Sequence, residues 1–151
     1  MMGVKTDLGQ EDCAIARSLG IIGDWWSLLI VRDALAGKQR FSEFQKNIGL
    51  AKNILSSRLR KLVQSGIFSL EEHPDSRSVH CYVLTERGKQ LAIVMLALWQ
   101  WGEDNCFPGS LDYGLADEAS GKLLARVELK TVDGRRIDPR DLRMVMKKRK
   151  R

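Results

Sequence analysis

Acidic residues are missing from Asn47 to Leu70, although the chain carries 19 Asp and Glu in all. A partner facing that stretch meets no carboxylate. Cysteine is also scarce. Cys13, Cys81 and Cys106 are far apart and odd in number, which gives neither a metal-ligand spacing nor a disulfide framework. Reduced thiols in a cytoplasmic protein are the simplest expectation. No apolar run approaches the roughly 18–20 residues of a membrane span, and the start, MMGVKTDLGQEDC, lacks the apolar centre of a signal peptide. Glycine-rich phosphate loops, His-Glu-x-x-His, clustered carboxylates and nucleophile–base arrangements are absent too. No catalysis, cofactor or metal is therefore expected.

What is present fits one domain with an appendage, since 151 residues suffice for a sizeable core. The net charge of +6 is mostly a tail: Lys147 to Arg151, KKRKR, carry five positive charges. Nucleic-acid binding must thus be argued from local placement of charge, not from the total. The expected organisation is a flexible arm over 1–10, a folded domain over 11–106, a hairpin appendage over 107–146 and a basic tail over 147–151.

Apolar spacing predicts a helix over 11–22, with Ile15, Leu19 and Ile22 on one side. Asp24 is the candidate cap of a second helix reaching Gly37, apolar nearly all round and so central to the core, with Trp25 and Trp26 as core anchors. A third helix over 41–47, with Ser42 as candidate cap, meets Gly49 at a turn, and a fourth runs over 51–64. Strands over 67–72 and 79–84 flank a tip at 73–78, and Thr85 caps a fifth helix reaching about Asn105. Beyond Cys106, Val132-Asp133-Gly134 signals a hairpin between 123–130 and 135–137, and 141–146 allows one more helical turn. The fold class is mainly α with a small β-hairpin wing, a winged helix-turn-helix, plus a C-terminal β-hairpin.

The fourth helix separates into two faces. Leu55, Leu59 and Leu62 cluster on one side, while Asn53, Ser57, Arg60 and Gln64 lie opposite, with Ser56 and Lys61 at the edges. Base edges and phosphates are rich in acceptors, so this polar, acid-free face suits duplex DNA. Candidate DNA-contacting residues are Arg40, Ser42, Lys52, Asn53, Ser56, Ser57, Arg60, Lys61, Gln64 and Arg77, with His73 and His80 as weaker candidates on the wing. Arg40 has a competing role as an ion-pair partner of Glu43.

The segments CAIARSLGIIGDWWSLLIVRDALAGKQRFSEF, LSSRLRKLVQSGIF, YVLTERGKQL and WQWG, taken in order, resemble the HxlR-type transcription regulators, relatives of the MarR-type winged helices. The resemblance covers about 60% of the chain, from Cys13 to about Asn105. It implies a homodimer on a two-fold-related operator, joined through the first and last helices of the domain. Candidate interface residues are Ile15, Leu19, Leu91, Met95, Leu98 and Trp99; a last helix apolar on two faces independently asks for two partners. The family often has Cys-Pro where this chain has Cys13-Ala14, and some members sense oxidants with that thiol. Cys13 is either such a sensor or a buried structural cysteine. A small aromatic effector near Trp25, Trp26, Trp99 or Trp101 is a further option, and a winged helix that docks protein instead of DNA is the alternative function.

Overall fold

The computed structural model describes residues 7–107, 109, 111 and 114–145, without the side chains of Arg77 and Ser78. The chain divides at Met95/Leu96 into two compact units.

In the first unit, helices α1 (Ala14–Ile22), α2 (Trp25–Leu35), α3 (Phe41–Ile48) and α4 (Lys52–Gln64) precede the antiparallel strands β1 (Phe68–His73) and β2 (Ser76–Leu84). Two further helices follow, α5 (Glu86–Lys89) and α6 (Ala92–Cys106), the second of which runs across the division. Asp24 caps α2 as its position suggests, its carboxylate accepting from the Ser27 amide at 2.9 Å and hydroxyl at 2.7 Å. Burial raises the Asp24 carboxyl, but the Ser27 hydroxyl and amide, with Arg58 and Lys61 nearby, hold it below the ordinary aspartate range. The helix does cross the core, with Ile30 and Val31 fully buried, yet Trp25 is 74% exposed. Only Trp26 packs on the core, since adjacent residues at a helix start point about 100° apart.

Leu55, Leu59 and Leu62 of α4 are completely buried, as their spacing predicts. Phe44, Phe68 and Tyr82 form a triangle of rings with centroids 6.3–6.4 Å apart, joining α3 to the hairpin. The hairpin pairs Phe68 with Leu84 and Leu70 with Tyr82, shifts register between Glu72 and His73, and turns at Pro74-Asp75. Its tip is thus tighter than the 73–78 expected from sequence.

Other boundaries differ for identifiable reasons. Asp7 caps a short 3-10 turn at Leu8–Gln10, so part of the expected arm is folded, and α1 begins at Ala14, not at 11. Ser42 does not cap α3. Arg40 occupies that position, and Glu43 reaches back to accept from the Gln39 amide at 2.9 Å and the Arg40 amide at 2.8 Å. These two donors hold the Glu43 carboxyl below its usual range. The single helix expected after Thr85 is broken at Gln90-Leu91. Thr85 does cap α5, accepting from the Gly88 amide at 3.1 Å while donating to the Gly66 carbonyl at 2.6 Å. Gly88 must be glycine, because a Cβ there would stand 2.3 Å from the Ile67 carbonyl oxygen.

The second unit departs furthest from expectation. Around Val132–Gly134 a turn forms, but only one bridge pairs its flanks, Lys130 with Arg136, and no strand ladder follows among the described residues. Across the turn the Leu129 carbonyl accepts from Ile137 at 2.9 Å, but the backbone before it is committed elsewhere: Leu124 donates to Leu115, and Val127 exchanges hydrogen bonds of 2.8 and 3.1 Å with the Gln100 side chain. The last turn sits at Pro139–Asp141, capped by Asp138, and 142–145 is not helical. The basic tail expected at 147–151 lies outside the described residues. No single described helix is long and apolar enough to cross a membrane.

Candidate nucleic-acid interface

The turn between α3 and α4 is set by Gly49, whose φ of +77° lies in the left-handed region that favours glycine. Leu50 then anchors the connection in the core. A buried carboxylate fixes the other side of α3: Asp33 of α2 accepts from the Asn47 side-chain amide at 2.7 Å and from Arg32 at 2.8 and 3.0 Å. Arg58 of α4 turns inward toward Asp24, at 3.4 Å, so the start of α2 and the middle of α4 are tied electrostatically. Neither tie was visible in sequence, because each joins residues distant along the chain whose types are common on any helix.

With its inner face pinned, α4 presents Lys52, Asn53, Ser57, Arg60 and Gln64 as exposed residues, with Ser56 and Lys61 half-buried at the margins. Arg60 lies close enough to Tyr82 of β2 for its charge to favour the ionised phenol, although burial wins and raises the Tyr82 hydroxyl above its ordinary range. Ser42 is exposed in the first turn of α3.

Arg40 does not form the side-chain ion pair with Glu43 weighed from sequence. Its Nη2 donates to His73 Nε2 at 2.5 Å, which links the start of α3 to the end of β1. His73 Nδ1 in turn accepts from the Asp75 amide at 3.2 Å and lies 3.8 Å from Asp75 Oδ2. His73 is thereby engaged within the protein, while His80 remains exposed. The Tyr82 amide donates to the Gln39 carbonyl at 2.8 Å and adds a second link between hairpin and helices. Arg77 is a residue of β2, and its side chain lies outside the described set.

The residues expected at a dimer interface separate into groups. Ile15 and Leu19 of α1 are 68% and 50% exposed, and Leu98 is 46% exposed. Leu91 and Met95 instead pack on the core of their own unit, and Trp99 is half-buried. On α6, Ile93 at 59% exposure presents a further apolar side chain. Cys13 stands at the N-cap position of α1 and is half-buried, in contrast to buried Cys81. Among the described residues no cluster of metal-ligating side chains is found.

Two helices joined by a glycine turn, the second with an acid-free exposed face, followed by a hairpin pinned to the first, define a winged helix-turn-helix. The HxlR-like helix-turn-helix family model matches residues 21–110. An uncharacterized HTH-type transcriptional regulator of Mycobacterium tuberculosis (strain ATCC 25618 / H37Rv) is 38% identical over 94 residues, which are 62% of this chain and 60% of that protein. The match therefore spans less than two thirds of that relative's length. Among solved structures, the transcription-factor candidate PA1607 superimposes with a TM-score of 0.85 at 42% identity, covering 94% of this chain and all of the other. The redox regulator HypR in its oxidized form gives 0.56 at 30% identity, over 62% of this chain and 97% of the other. The chain belongs to the HxlR-like helix-turn-helix family and is a winged helix of the transcriptional-regulator type.

Proposed function

We propose that the chain is a sequence-specific regulator that reads double-stranded DNA as a homodimer on an inverted repeat. The exposed face of α4, polar and without one carboxylate, carries this reading. Asn53, Ser56, Ser57, Arg60 and Gln64 contact base edges, because their donors match the acceptors of the major groove. Arg40, Ser42, Lys52, Lys61 and Arg77 serve the phosphates. Residues 11–106 form the DNA-binding and dimerisation domain, with 107–146 an appendage and 147–151 a basic tail. The dimer is supported by the apolar side chains that α1 and α6 leave exposed, Ile15, Leu19, Ile93 and Leu98.

Titration with random duplex DNA tests the reading. Binding should weaken steeply between low and moderate salt as counterions are displaced, and absence of binding at low salt overturns it. A protein-docking winged helix would give that second result. A redox input at Cys13 is a further proposal, supported by the half-buried thiol and by likeness to a protein named as a redox regulator. Unchanged DNA affinity after diamide treatment counts against it.

A further inference from the structure

Within the first unit, a cavity of about 470 Å³ is walled by α1, by Ile67 and by the segment that joins α5 to α6. The lining of α1 runs from Ala14 to Ile22, about 12 Å of helix. Arg87, Gln90, Leu91 and Val94 form the other wall, on one face because they stand three, four and seven residues apart. The break at Gln90-Leu91 keeps that face intact: the Leu91 amide donates to the Gly88 carbonyl at 3.0 Å, and the Met95 amide to the Leu91 carbonyl at 2.9 Å.

The walls are aliphatic except for three side chains. Ser18 commits its hydroxyl to the Ala14 carbonyl at 2.9 Å. Arg87 and Gln90 are exposed, and among the described residues neither side chain has a hydrogen-bond or ion-pair partner. Arg87 is the one charged lining group; Glu86 beside it is held by Lys89 and does not line the cavity. Arg87 also borders a neighbouring cavity, where Asp7 and Arg17 balance each other, so its own charge stays uncompensated. A cation entering the aliphatic cavity meets that charge. A neutral molecule gains apolar contact alone. An anion with an apolar chain gains that contact, the guanidinium fork and the Gln90 amide.

We propose that this cavity binds a medium-chain aliphatic carboxylate, its head group on Arg87 and Gln90 and its chain along α1. The volume is ordinary for a ligand site, and the length of the α1 wall holds an extended chain of roughly eight carbons. Ile15 and Leu19 also belong to the proposed dimer surface, so a second copy of the chain is the competing occupant. The assignment is independent of DNA binding, which its test does not involve.

The full chain is titrated calorimetrically with octanoate, octanol and octylammonium, while the methyl groups of Leu91 and Val94 are followed by NMR. Octanoate should bind saturably, at least about tenfold tighter than the other two, and shift both methyl signals, the scale of one charge-assisted hydrogen bond. Arg87→Gln removes no internal contact and should weaken octanoate by about tenfold while leaving octanol unchanged. Ser18→Trp fills the space and should abolish binding with an unchanged circular dichroism spectrum. No saturable octanoate binding, the result if a second copy fills the cavity, would overturn the proposal. Equal or tighter binding of octylammonium, unchanged octanoate affinity in Arg87→Gln, or full retention of binding in Ser18→Trp would each do the same.

Discussion

Up to Met95 the chain encloses a core in which Ile30, Val31, Phe44, Leu55, Leu59 and Leu62 have no solvent exposure, whereas beyond it no described residue is buried. The second unit is ordered instead by directed polar contacts. Gln100 grips Val127, Arg126 joins Glu103 and Asp104, and Glu128 pairs with Lys130 and Arg136. It leaves Leu123, Leu142 and Met144 between 65% and 93% exposed. The contrast separates two ways of ordering a chain: apolar burial, which is cooperative and resists local change, and hydrogen bonds, which open one at a time.

The largest expected effect tests the first of these. Phe44→Ala removes a fully buried ring from the Phe68–Tyr82 cluster and should destabilise the first unit by about 3–5 kcal/mol in urea denaturation. A cost near that of an exposed substitution would erase the contrast. Arg60→Ala alters no buried contact, so it should leave the urea midpoint unchanged while costing about 1–3 kcal/mol of operator discrimination in competition binding. Arg40→Ala should instead weaken all DNA sequences alike. In the second unit, Gln100→Ala removes two hydrogen bonds and should raise amide exchange at Val127 with little effect on the core amides of α4. Comparable loss of protection in α4 would mean that the two units unfold together.

The smallest effect concerns pH. Asp24 has a folded-state carboxyl below its unfolded value, so its stabilising contribution is complete above the unfolded value and lost as pH falls toward the folded one. The urea-midpoint difference between the wild-type chain and Asp24→Asn should therefore shrink as pH falls below the ordinary aspartate value of 3.8. A difference that grows on acidification would reverse the assigned sign.

The same contrast explains what could be read from the sequence. Leucines at 55, 59 and 62 reveal an inner face because burial imposes the helical period, and the polar outer face follows by subtraction. Gly49 and Asp24 announce a turn and a cap through local chemistry. Trp25 misled because apolar character alone does not say which of two adjacent tryptophans turns inward. Glu43 displaced Ser42 as the capping group because a longer side chain reached two amides at once. The hairpin inferred from Val132-Asp133-Gly134 formed its turn but not its strands, since Gln100 on α6 took the backbone of Val127. Such pairings join residues 27 apart and leave no period behind them. In the candidate interface, the outer residues of α4 were legible, whereas the Arg40–His73, Arg58–Asp24 and Asn47–Asp33 contacts that hold it were not.

The central claim is that the acid-free face of α4 reads DNA, and selection of bound duplexes from a random pool tests it most directly. The wild-type chain should recover an inverted repeat with half-site centres about 34 Å apart. Arg60→Ala should keep that spacing and lose preference at one base pair of each half-site. Recovery of the identical motif by both proteins, or of no motif by the wild-type chain, would contradict it.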